Sequence, residues 1–344
     1  MQLTQVRAAA PRSPIERFLG DLAAIVGEGA AAEARFGIAV SGGPDSLALL
    51  LLAHDALGPR IAAATIDHRL RPESADEARY VADVCAARGI PHAIMTPDAP
   101  IAGNIQASAR ALRYRLLDGW RARERLDFVL TAHHADDQLE TLVMRLNRSS
   151  GVAGLAGIRG RNGTIVRPLL HWRRKALGDI VSKAGLPFID DPSNRDSRYD
   201  RARLRAALAD ADWLDAQAVA KSAALLGEAA EALDWMTATA LETALTADGR
   251  ALILAYADQP RALWHRMLVT ALDRAQPGIT IGEPAFRRLW EAMLRGEKSC
   301  IGDLIVTALP GAPRRWRIAA APARHSPSSP PASLRVDKAD RNWS

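Results

Sequence analysis

Cysteine is scarce in this chain, since only Cys85 and Cys300 occur among its 344 residues. The two lie far apart, so the sequence has no Cys-x-x-Cys pair of the kind that marks a metal or redox centre. Two isolated cysteines do not make a disulfide framework, and isolated thiols are most often buried apolar side chains. The sequence therefore argues against a disulfide-stabilised scaffold and against a thiolate metal or redox centre.

Long apolar runs are missing as well. The longest run, residues 47–53, fits inside one buried helix, whereas a membrane-spanning helix needs about 20 apolar residues. The N-terminus has neither the apolar stretch nor the small-residue cleavage site of a secretory signal. We therefore expect a cytoplasmic protein that makes no contact with a membrane.

Charge of one sign does not dominate the composition. There are 45 Lys and Arg against 39 Asp and Glu, for a net charge of +6. This moderate excess favours a polyanionic partner, although an arginine-rich composition also arises from genomic base composition. The hydrophobic fraction of 48% is enough for a substantial core. A chain of this length is expected to form about two domains.

The first half of the chain alternates between strand-like and helix-like patterns. Four short apolar segments are each followed by a helical pattern, and Ile165 with Val166 indicates a fifth strand. The pairs are 37–40 with 47–57, 61–66 with 74–88, 92–96 with 104–123, and 127–131 with 135–147. Continuous apolar strands that alternate with helices predict an α/β fold with a doubly wound parallel sheet.

The pattern changes after about residue 215. Ala-rich helical patterns follow, and apolar residues alternate on both sides of Pro310-Gly311, which predicts a terminal β-hairpin over 300–319. Four tryptophans of this region, Trp235, Trp264, Trp290 and Trp316, are expected in its core. We predict an N-terminal arm and helix (1–34), an α/β domain (35–215), a smaller, mostly helical domain that ends in the hairpin (216–320) and a disordered tail (321–344).

A glycine-rich hexapeptide, Ser41-Gly42-Gly43-Pro44-Asp45-Ser46, lies between the first predicted strand and its helix. In a parallel sheet, ligands bind beyond the carboxyl ends of the strands. The glycines allow a close approach of a ligand, and the start of the helix presents free N–H groups to an anion. The hexapeptide therefore predicts a phosphate-binding loop, with an ordinary capped turn as the alternative.

This loop is not a Walker A motif, because it has no Gly-Lys-Ser/Thr. It carries Asp45 instead, and a carboxylate beside a phosphate requires a cation between them, which suggests Mg²⁺. The hexapeptide resembles the PP-loop of the N-type ATP pyrophosphatases, which cleave ATP between its α- and β-phosphates. The resemblance implies that Ser41 to Ser46 bind ATP.

Further motifs follow the loop in order. They are Asp67-His68-Arg69-Leu70-Arg71, Asn104-Ile105-Gln106 with Arg110 and Arg113, the run from Thr131 to Thr141, and Asp191-Pro192-Ser193-Asn194 with Tyr199, Arg201, Arg203 and Arg205. Together with the loop, these motifs resemble the tRNA(Ile)-lysidine synthetases over about residues 35 to 205. One departure is Ser149, which stands where that family usually has glycine.

The resemblance implies an adenine nucleotide alpha hydrolase-like fold and a ligase that uses ATP and Mg²⁺. Free L-lysine would be joined to position 2 of the wobble cytidine of the isoleucine tRNA with a CAU anticodon, through an adenylated cytidine. This tRNA modification gives lysidine and changes decoding from AUG to AUA. The chain would act as a monomer or homodimer, and its length suggests that the third domain of some family members is absent.

The acidic run supplies the candidate catalytic residues. On a helix, His133, Asp137 and Glu140 would share one face next to the loop, with Asp136 beside them. We expect these four and Asp45 to be catalytic, and Asp45 and Asp136 to contact Mg²⁺. A zinc site and a solvated acidic helix start remain the alternatives.

Two other pairs border the expected nucleotide site. Asp67 and His68 end the second strand at the same sheet edge and are expected to contact ATP, although a capped turn also explains them. Arg110 and Arg113 lie one helical turn apart and are expected to bind phosphate or the carboxylate of lysine. Surface arginines without a ligand are the alternative for this second pair.

Basic residues later in the chain are the candidates for tRNA contacts. Arg198, Arg201 and Arg205 would form a stripe on one helix face, with Arg203 in the same segment. Together with Arg173, Arg174 and Lys175, they predict a footprint for the tRNA backbone. A solvated charged face is the alternative.

Two other functions remain open at this point. One is a different PP-loop tRNA-modifying enzyme of the thiolase type, but such enzymes carry cysteines for sulfur transfer that Cys85 and Cys300 do not match. The other is a non-catalytic tRNA-binding module, against which the complete loop and the acidic run both argue.

Overall fold

The structure, a computed structural model, describes residues 13–69, 73–97, 105–189, 200–208, 211, 213–256, 259–311 and 314–322. For residues 105–107 and 109 it describes the backbone alone. Several predicted features therefore lie outside the described residues: the N-terminal arm, the segment 190–199 with Arg198, and nearly all of the tail. Contacts divide the chain into two units, Met1–Ala230 and Glu231–Ser344.

The first unit is built on a six-stranded sheet, which confirms the predicted α/β fold. Its strands lie in the order β3-β2-β1-β4-β6-β5 and all pair in parallel except β5, which is antiparallel to β6. The strands are β1 (Phe36–Ala39), β2 (Ile61–Ile66), β3 (His92–Met95), β4 (Phe128–Leu130), β5 (Arg161–Asn162) and β6 (Ile165–Val166).

Helices cover both faces of this sheet. They are α1 (Pro14–Val26), α2 (Glu28–Glu33), α3 (Pro44–Leu57), α4 (Ser74–Ala86), α5 (Ile105–Arg123), α6 (Ala135–Leu146), α7 (Val152–Leu155), α8 (Arg174–Lys183) and α9 (Asp200–Leu208). Side chains of α1, α3, α4 and α8 form a core with one face, and Leu117 and Trp120 of α5 form a core with the other. The sheet is therefore doubly wound.

The central helix α3 is apolar on all sides because it is enclosed. Every residue from Ser46 to Ala53 is buried, and α3 shares one core with β1, α1 and α8. A helix that is hydrophobic all round belongs in the interior of a domain. Burial of each leucine side chain contributes roughly 1.5–3 kcal/mol to the stability of the fold. Because α3 is held firmly in the core, its first residues and the Ser41–Ser46 loop are held at the edge of the sheet.

The order of the strands reverses direction at β1. The chain runs from β1 outward through β2 to β3, and then returns to place β4 on the other side of β1. A crevice forms where neighbouring strands send their connections to opposite faces, and ligands bind there. The loop after β1 and the loop after β4 flank this crevice.

The second unit has more strand than the sequence predicted. The boundary between the units falls inside α10 (Ala216–Ala244). The predicted hairpin is β10 (Leu304–Leu309) with β11 (Arg315–Ala320), and it belongs to a five-stranded sheet of order β7-β8-β11-β10-β9. The strands that the sequence analysis missed are β7 (Leu245–Asp248), β8 (Ala251–Ala255) and β9 (Ser299–Ile301).

Helices α11 (Arg261–Ala275) and α12 (Glu283–Arg295) complete the core of the second unit. Trp264 and Trp316 are buried in it, and Trp290 packs against it, as predicted. The prediction for Trp235 is wrong, because its side chain is 70% exposed on α10. Within the described ranges, no helix is both long and apolar enough to cross a membrane.

Candidate active site

The Ser41–Ser46 loop is tied together by its own hydroxyl groups. The Ser46 hydroxyl accepts a hydrogen bond from the Ser41 N–H at 3.1 Å and donates one to the Gly43 carbonyl at 3.0 Å. The two serine hydroxyls also lie 3.2 Å apart. The loop is thereby held in one shape at the start of α3, where free N–H groups and the helix dipole favour an anion.

Gly42 is required by both its backbone and its surroundings. Its φ of +82° lies in the left-handed region, which favours glycine. A Cβ atom at this position would lie 2.2 Å from Cδ1 of Ile189. The Ile189 N–H also donates to the Gly42 carbonyl at 3.0 Å, so the loop and the segment after α8 are packed together without room for a side chain.

Asp45 does not cap the helix. The N-cap of α3 is Gly43, and Pro44 and Asp45 follow it within the first turn. One carboxylate oxygen, Oδ1, is buried and has no hydrogen-bond partner. The other, Oδ2, lies 3.4 Å from Nε2 of His134 and 4.0 Å from Nε of Arg174. The alternative that Asp45 is an ordinary cap is therefore wrong.

His133 does not lie on the helix that the sequence predicted for it. Helix α6 begins at Ala135, and His133 is in the loop that follows β4, with Nδ1 3.0 Å from the Thr131 hydroxyl. The prediction failed because His134 is the N-cap and has an extended backbone. Burial lowers the pKa of His133 to about 4; Asp137 opposes this shift and nearby arginines add to it.

His134 lies at the centre of the acidic cluster, and the sequence analysis gave it no role. It is 2% exposed, and its ring nitrogens lie 3.4 Å from Asp45, 3.6 Å from Asp136 and 3.7 Å from Asp137. Burial lowers the pKa of His134, but the three carboxylates outweigh that effect and raise it. The signal that could have identified it is a His-His pair directly before an acidic helix start.

Asp136 binds the start of α8. Its Oδ2 accepts the Arg174 N–H at 2.8 Å, and its Oδ1 lies 3.3 Å from the Arg173 guanidinium. Arg173 is the N-cap of α8 and offers no side-chain cap of its own. Asp136 therefore satisfies that helix end from a different element, and its contacts do not support the predicted Mg²⁺ contact.

Glu140 is buried beneath two arginines of α9. Its side chain is 3% exposed and accepts hydrogen bonds from Arg201 Nε at 2.8 Å and Arg205 Nε at 2.7 Å. The sequence predicted that these arginines form an open basic stripe for the tRNA backbone. In the structure they are instead paired with a buried carboxylate. Their neighbour Arg203 is exposed and pairs with Asp200 on the same helix.

Asp67 has a local structural partner. Its Oδ1 accepts the Arg69 N–H at 2.9 Å and the Ser74 hydroxyl at 2.6 Å. Burial raises the pKa of Asp67, but these two hydrogen bonds and the nearby charges of Arg69 and His68 together outweigh it and keep the pKa below its usual value. The capped-turn alternative therefore describes Asp67, whereas His68 beside it has a buried Nδ1 without a hydrogen-bond partner.

A cavity of about 550 Å³ brings most of these groups together. This volume is within the range of small-molecule sites. Gly42, Asp67, Asp136, Glu140, Arg173, Lys175 and Arg203 are predicted site residues that do not line it. The predicted residues that do line it are Ser41, Gly43, Pro44, Asp45, Ser46, His68, Arg110, Arg113, His133, Asp137, Arg174, Arg201 and Arg205.

The donor set does not suit a metal held by protein groups alone. Within the described part of the chain, no group of three or more His, Cys, Asp or Glu side chains is arranged to hold a metal ion. Structural and catalytic zinc sites use three or four such ligands, so the zinc alternative has no support here. Mg²⁺ differs, because it is usually held by one or two carboxylates together with substrate phosphates.

The class of protein follows from the position of the Ser41–Ser46 loop, which lies beside the crevice at β1 of the parallel sheet. A family model described as the PP-loop domain matches residues 14–211. Among solved structures, the U34-tRNA thiolase NcsA from Methanococcus maripaludis, which carries a [4Fe-4S] cluster, has a similar fold. Its TM-score is 0.50 at 15% identity, over 62% of this chain and 80% of that one. The chain is thus a PP-loop protein.

Curated relatives narrow the class to one family. The tRNA(Ile)-lysidine synthase of Zymomonas mobilis is 38% identical over 84% of this chain and 89% of that protein. The tRNA(Ile)-lysidine synthase of Novosphingobium aromaticivorans is 40% identical over 85% of this chain and 91% of that protein. The chain belongs to the tRNA(Ile)-lysidine synthase family.

Proposed function

We propose that this chain joins free L-lysine to position 2 of the wobble cytidine in the isoleucine tRNA with a CAU anticodon. ATP is converted to AMP and diphosphate, and an adenylated cytidine is the intermediate. One observation carries the proposal: the phosphate loop at Ser41–Ser46 and the half-buried carboxylate of Asp137 line the same cavity. A site for polyphosphate next to a site for a cation fits ATP and lysine together.

In the first step, the oxygen at position 2 of the cytosine attacks the α-phosphate of ATP. The bond from the α-phosphorus to the bridging oxygen breaks, and diphosphate leaves. The N–H groups at the start of α3 and the Ser41 hydroxyl hold the leaving group, and Arg110 and Arg113 line the same cavity and neutralise its charge. This step turns the oxygen of an aromatic base into a good leaving group.

Mg²⁺ fits the Asp45 side of the cavity. Asp45 Oδ1 is buried without a partner, and a carboxylate oxygen is the ligand that Mg²⁺ takes together with phosphate oxygens. Asp45 would hold the ion, which supplies neutralisation of the phosphate charge when bound. Asp136 is the weaker candidate of the two predicted ligands, because both of its oxygens face Arg173 and Arg174.

In the second step, the side-chain amine of lysine attacks the activated carbon and AMP leaves. A free lysine amine has a pKa near 10.4, so its deprotonation at pH 7 costs roughly 4.6 kcal/mol. Asp137 suits the binding of the ammonium: burial raises its pKa, but His134, His133 and Arg201 outweigh that and keep the carboxyl ionised. A carboxylate of such low basicity is a poor base, so we assign the proton to a phosphate oxygen of the departing AMP.

Labelled lysine tests the proposal directly. The purified chain is incubated with ATP, Mg²⁺, labelled lysine and an unmodified isoleucine tRNA transcript with a CAU anticodon. The expected result is label in the tRNA and one AMP released per lysine joined, with no label in a control transcript whose wobble cytidine is replaced by uridine. Tight tRNA binding without lysine-dependent AMP release would instead indicate a non-catalytic binding module.

The thiolase alternative finds no chemical support in the cavity. Cys85 is buried in the sheet core, where burial raises the pKa of its thiol to about 11. Cys300 is exposed and belongs to the second unit. Neither lines the cavity, and sulfur transfer needs an accessible thiolate. We propose that the protein acts in the cytoplasm, where its tRNA substrate is.

A further inference from the structure

One aromatic side chain at the cavity has no part in the steps above. Phe188 lines the cavity, and 50% of its surface is exposed. Phenylalanine is among the residues most often buried in proteins. An exposed aromatic ring beside a polar cavity therefore indicates a surface on which a ligand packs.

The backbone around Phe188 is fixed on both sides. The Tyr80 hydroxyl donates a hydrogen bond to the Pro187 carbonyl, and the Ile189 N–H donates to the Gly42 carbonyl at 3.0 Å. Ile189 also packs directly onto Gly42 of the phosphate loop. Phe188 is thus held between two anchors, and its ring is presented to the cavity without support from a core.

A set of cavity-lining residues other than Phe188 suits the adenine of ATP. The set consists of small and apolar residues at the carboxyl ends of β1 and β2, together with a residue of α5: Ala39, Ala64, Ile66 and Leu117. Ala64 and Leu117 are buried, so a flat apolar base is enclosed there. The exposed ring of Phe188 remains accessible to a base of a larger molecule that binds at the cavity from solvent.

Five arginines line the same cavity as Phe188, and besides Arg110 and Arg113 they are Arg174, Arg201 and Arg205. Guanidinium groups bind phosphate, and single-stranded RNA is held where an aromatic platform for a base adjoins a positively charged groove for the backbone. We propose that Phe188 stacks on the target cytosine and positions its oxygen at position 2 towards ATP. This inference rests on the proposed function, because it takes its substrate from there.

Three substitutions test the stacking: Phe188→Ala, Phe188→Leu and Phe188→Tyr. Loss of a base–aromatic stack lowers kcat/KM for tRNA roughly ten- to a hundredfold in the alanine variant. The leucine variant falls by a similar factor, because it keeps apolar area without a flat face, whereas the tyrosine variant stays within roughly threefold of the wild type. The KM for ATP stays unchanged in all three, and the melting temperatures confirm that the variants fold.

Leu225→Ala is the matched control, since Leu225 is 55% exposed and does not line the cavity. Its kinetic constants should equal those of the wild type. Wild-type kinetics for tRNA in both Phe188→Ala and Phe188→Leu would overturn the stacking inference and leave the proposed function intact. If the KM for ATP rises by the same factor as kcat/KM for tRNA falls, the Phe188 ring packs on adenine, and the stacking inference is overturned as well. Failure of the wild type to incorporate lysine would instead refute the proposed function.

Discussion

Arg205 binds Glu140 through both oxygens of the carboxylate: Nε donates to Oε1 at 2.7 Å and Nη2 donates to Oε2 at 3.2 Å. Arg201 donates to the same carboxylate at 2.8 Å. A planar guanidinium in this arrangement has one orientation, and both arginines line the cavity. The buried glutamate therefore sets the direction of two positive charges at the site without lining the cavity itself.

Replacing Glu140 with Gln should lower both activity and stability. Glutamine keeps the size but removes the charge that orients Arg201 and Arg205, and its amide offers the two partly buried guanidinium groups one acceptor oxygen in place of two. We expect the free energy of unfolding to fall by roughly 1–3 kcal/mol and kcat to fall at least roughly tenfold. Asp200→Asn is the control, because it removes the charge of an exposed carboxylate that pairs with Arg203 on the same helix; an equal loss there would refute this role of Glu140.

Gly42→Ala should abolish tight ATP binding. The new Cβ would lie 2.2 Å from Ile189 Cδ1, so either the Ile189 side chain or the loop must move. Gly58→Ala is a matched control, because Gly58 has a φ of +56° and its Cβ would meet nothing within 4 Å. We expect both variants to lose about 1 kcal/mol of stability from backbone strain, whereas ATP affinity, measured by calorimetry, falls more than roughly tenfold in Gly42→Ala alone. Equal ATP affinities would contradict the close approach.

Asp137→Asn should stop lysine transfer while tRNA binding survives. The amide carries no negative charge to hold the lysine ammonium, whereas the arginines proposed to bind the tRNA backbone keep their own charges. The comparison variant is Asp136→Asn, which weakens the cap of α8 and should retain part of the activity at a cost of about 1 kcal/mol in stability. Lysine incorporation and filter binding measure the two effects. Full turnover in Asp137→Asn would remove Asp137 from the mechanism.

Ser149→Gly should stabilise the protein. Ser149 has a φ of +54°, a left-handed conformation that strains any residue with a Cβ. Glycine removes that strain from the folded state. It also gives the unfolded chain more conformational freedom, which offsets part of the gain, so the free energy of unfolding should rise by about 0.5–1 kcal/mol. The melting temperature of the first unit should rise by roughly 1–3 °C. Ser150→Gly, at a position without positive φ, should lower it instead.

The thiol of Cys85 predicts a loss of stability at alkaline pH. Burial raises its pKa to about 11 in the folded chain, whereas an unfolded thiol ionises near pH 8.5. Below the unfolded pKa both states are protonated and the full stability is present; above it only the unfolded state loses the proton. The free energy of unfolding should then fall by up to about 1.4 kcal/mol per pH unit until the folded thiol ionises.

Urea unfolding of the wild type and of Cys85→Ala between pH 8 and 10.5 measures this effect. The alanine variant is less stable at every pH because of the cavity it creates, but its slope with pH should be flatter. A thiol reagent should label Cys300 alone in the folded protein, since Cys300 is exposed and Cys85 is buried. Equal slopes, or rapid labelling of both thiols, would contradict the burial of Cys85.

Much of the fold could be predicted because its signals are local. Apolar strands followed by amphipathic or apolar helices gave the α/β sheet, and the glycine-rich turn at Gly42 and Gly43 gave the phosphate loop. Helix capping is local too, yet its result was missed at His134, because a histidine N-cap is not among the common capping residues. The strands β7 and β9 were missed for a related reason: they are three or four residues long, too short to show a period.

What the sequence determined by itself was the presence of the loop, the acidic helix start and the arginine-rich helix. Only the tertiary structure decided their partners. Periodicity tells which side chains share a face but not what that face contacts, and Arg201 meets Glu140 from 61 residues away. The contact of Asp136 with α8 spans 38 residues. It gives Asp136 a structural role that its sequence neighbour Asp137 does not share. The division of roles within the acidic run was therefore fixed by packing.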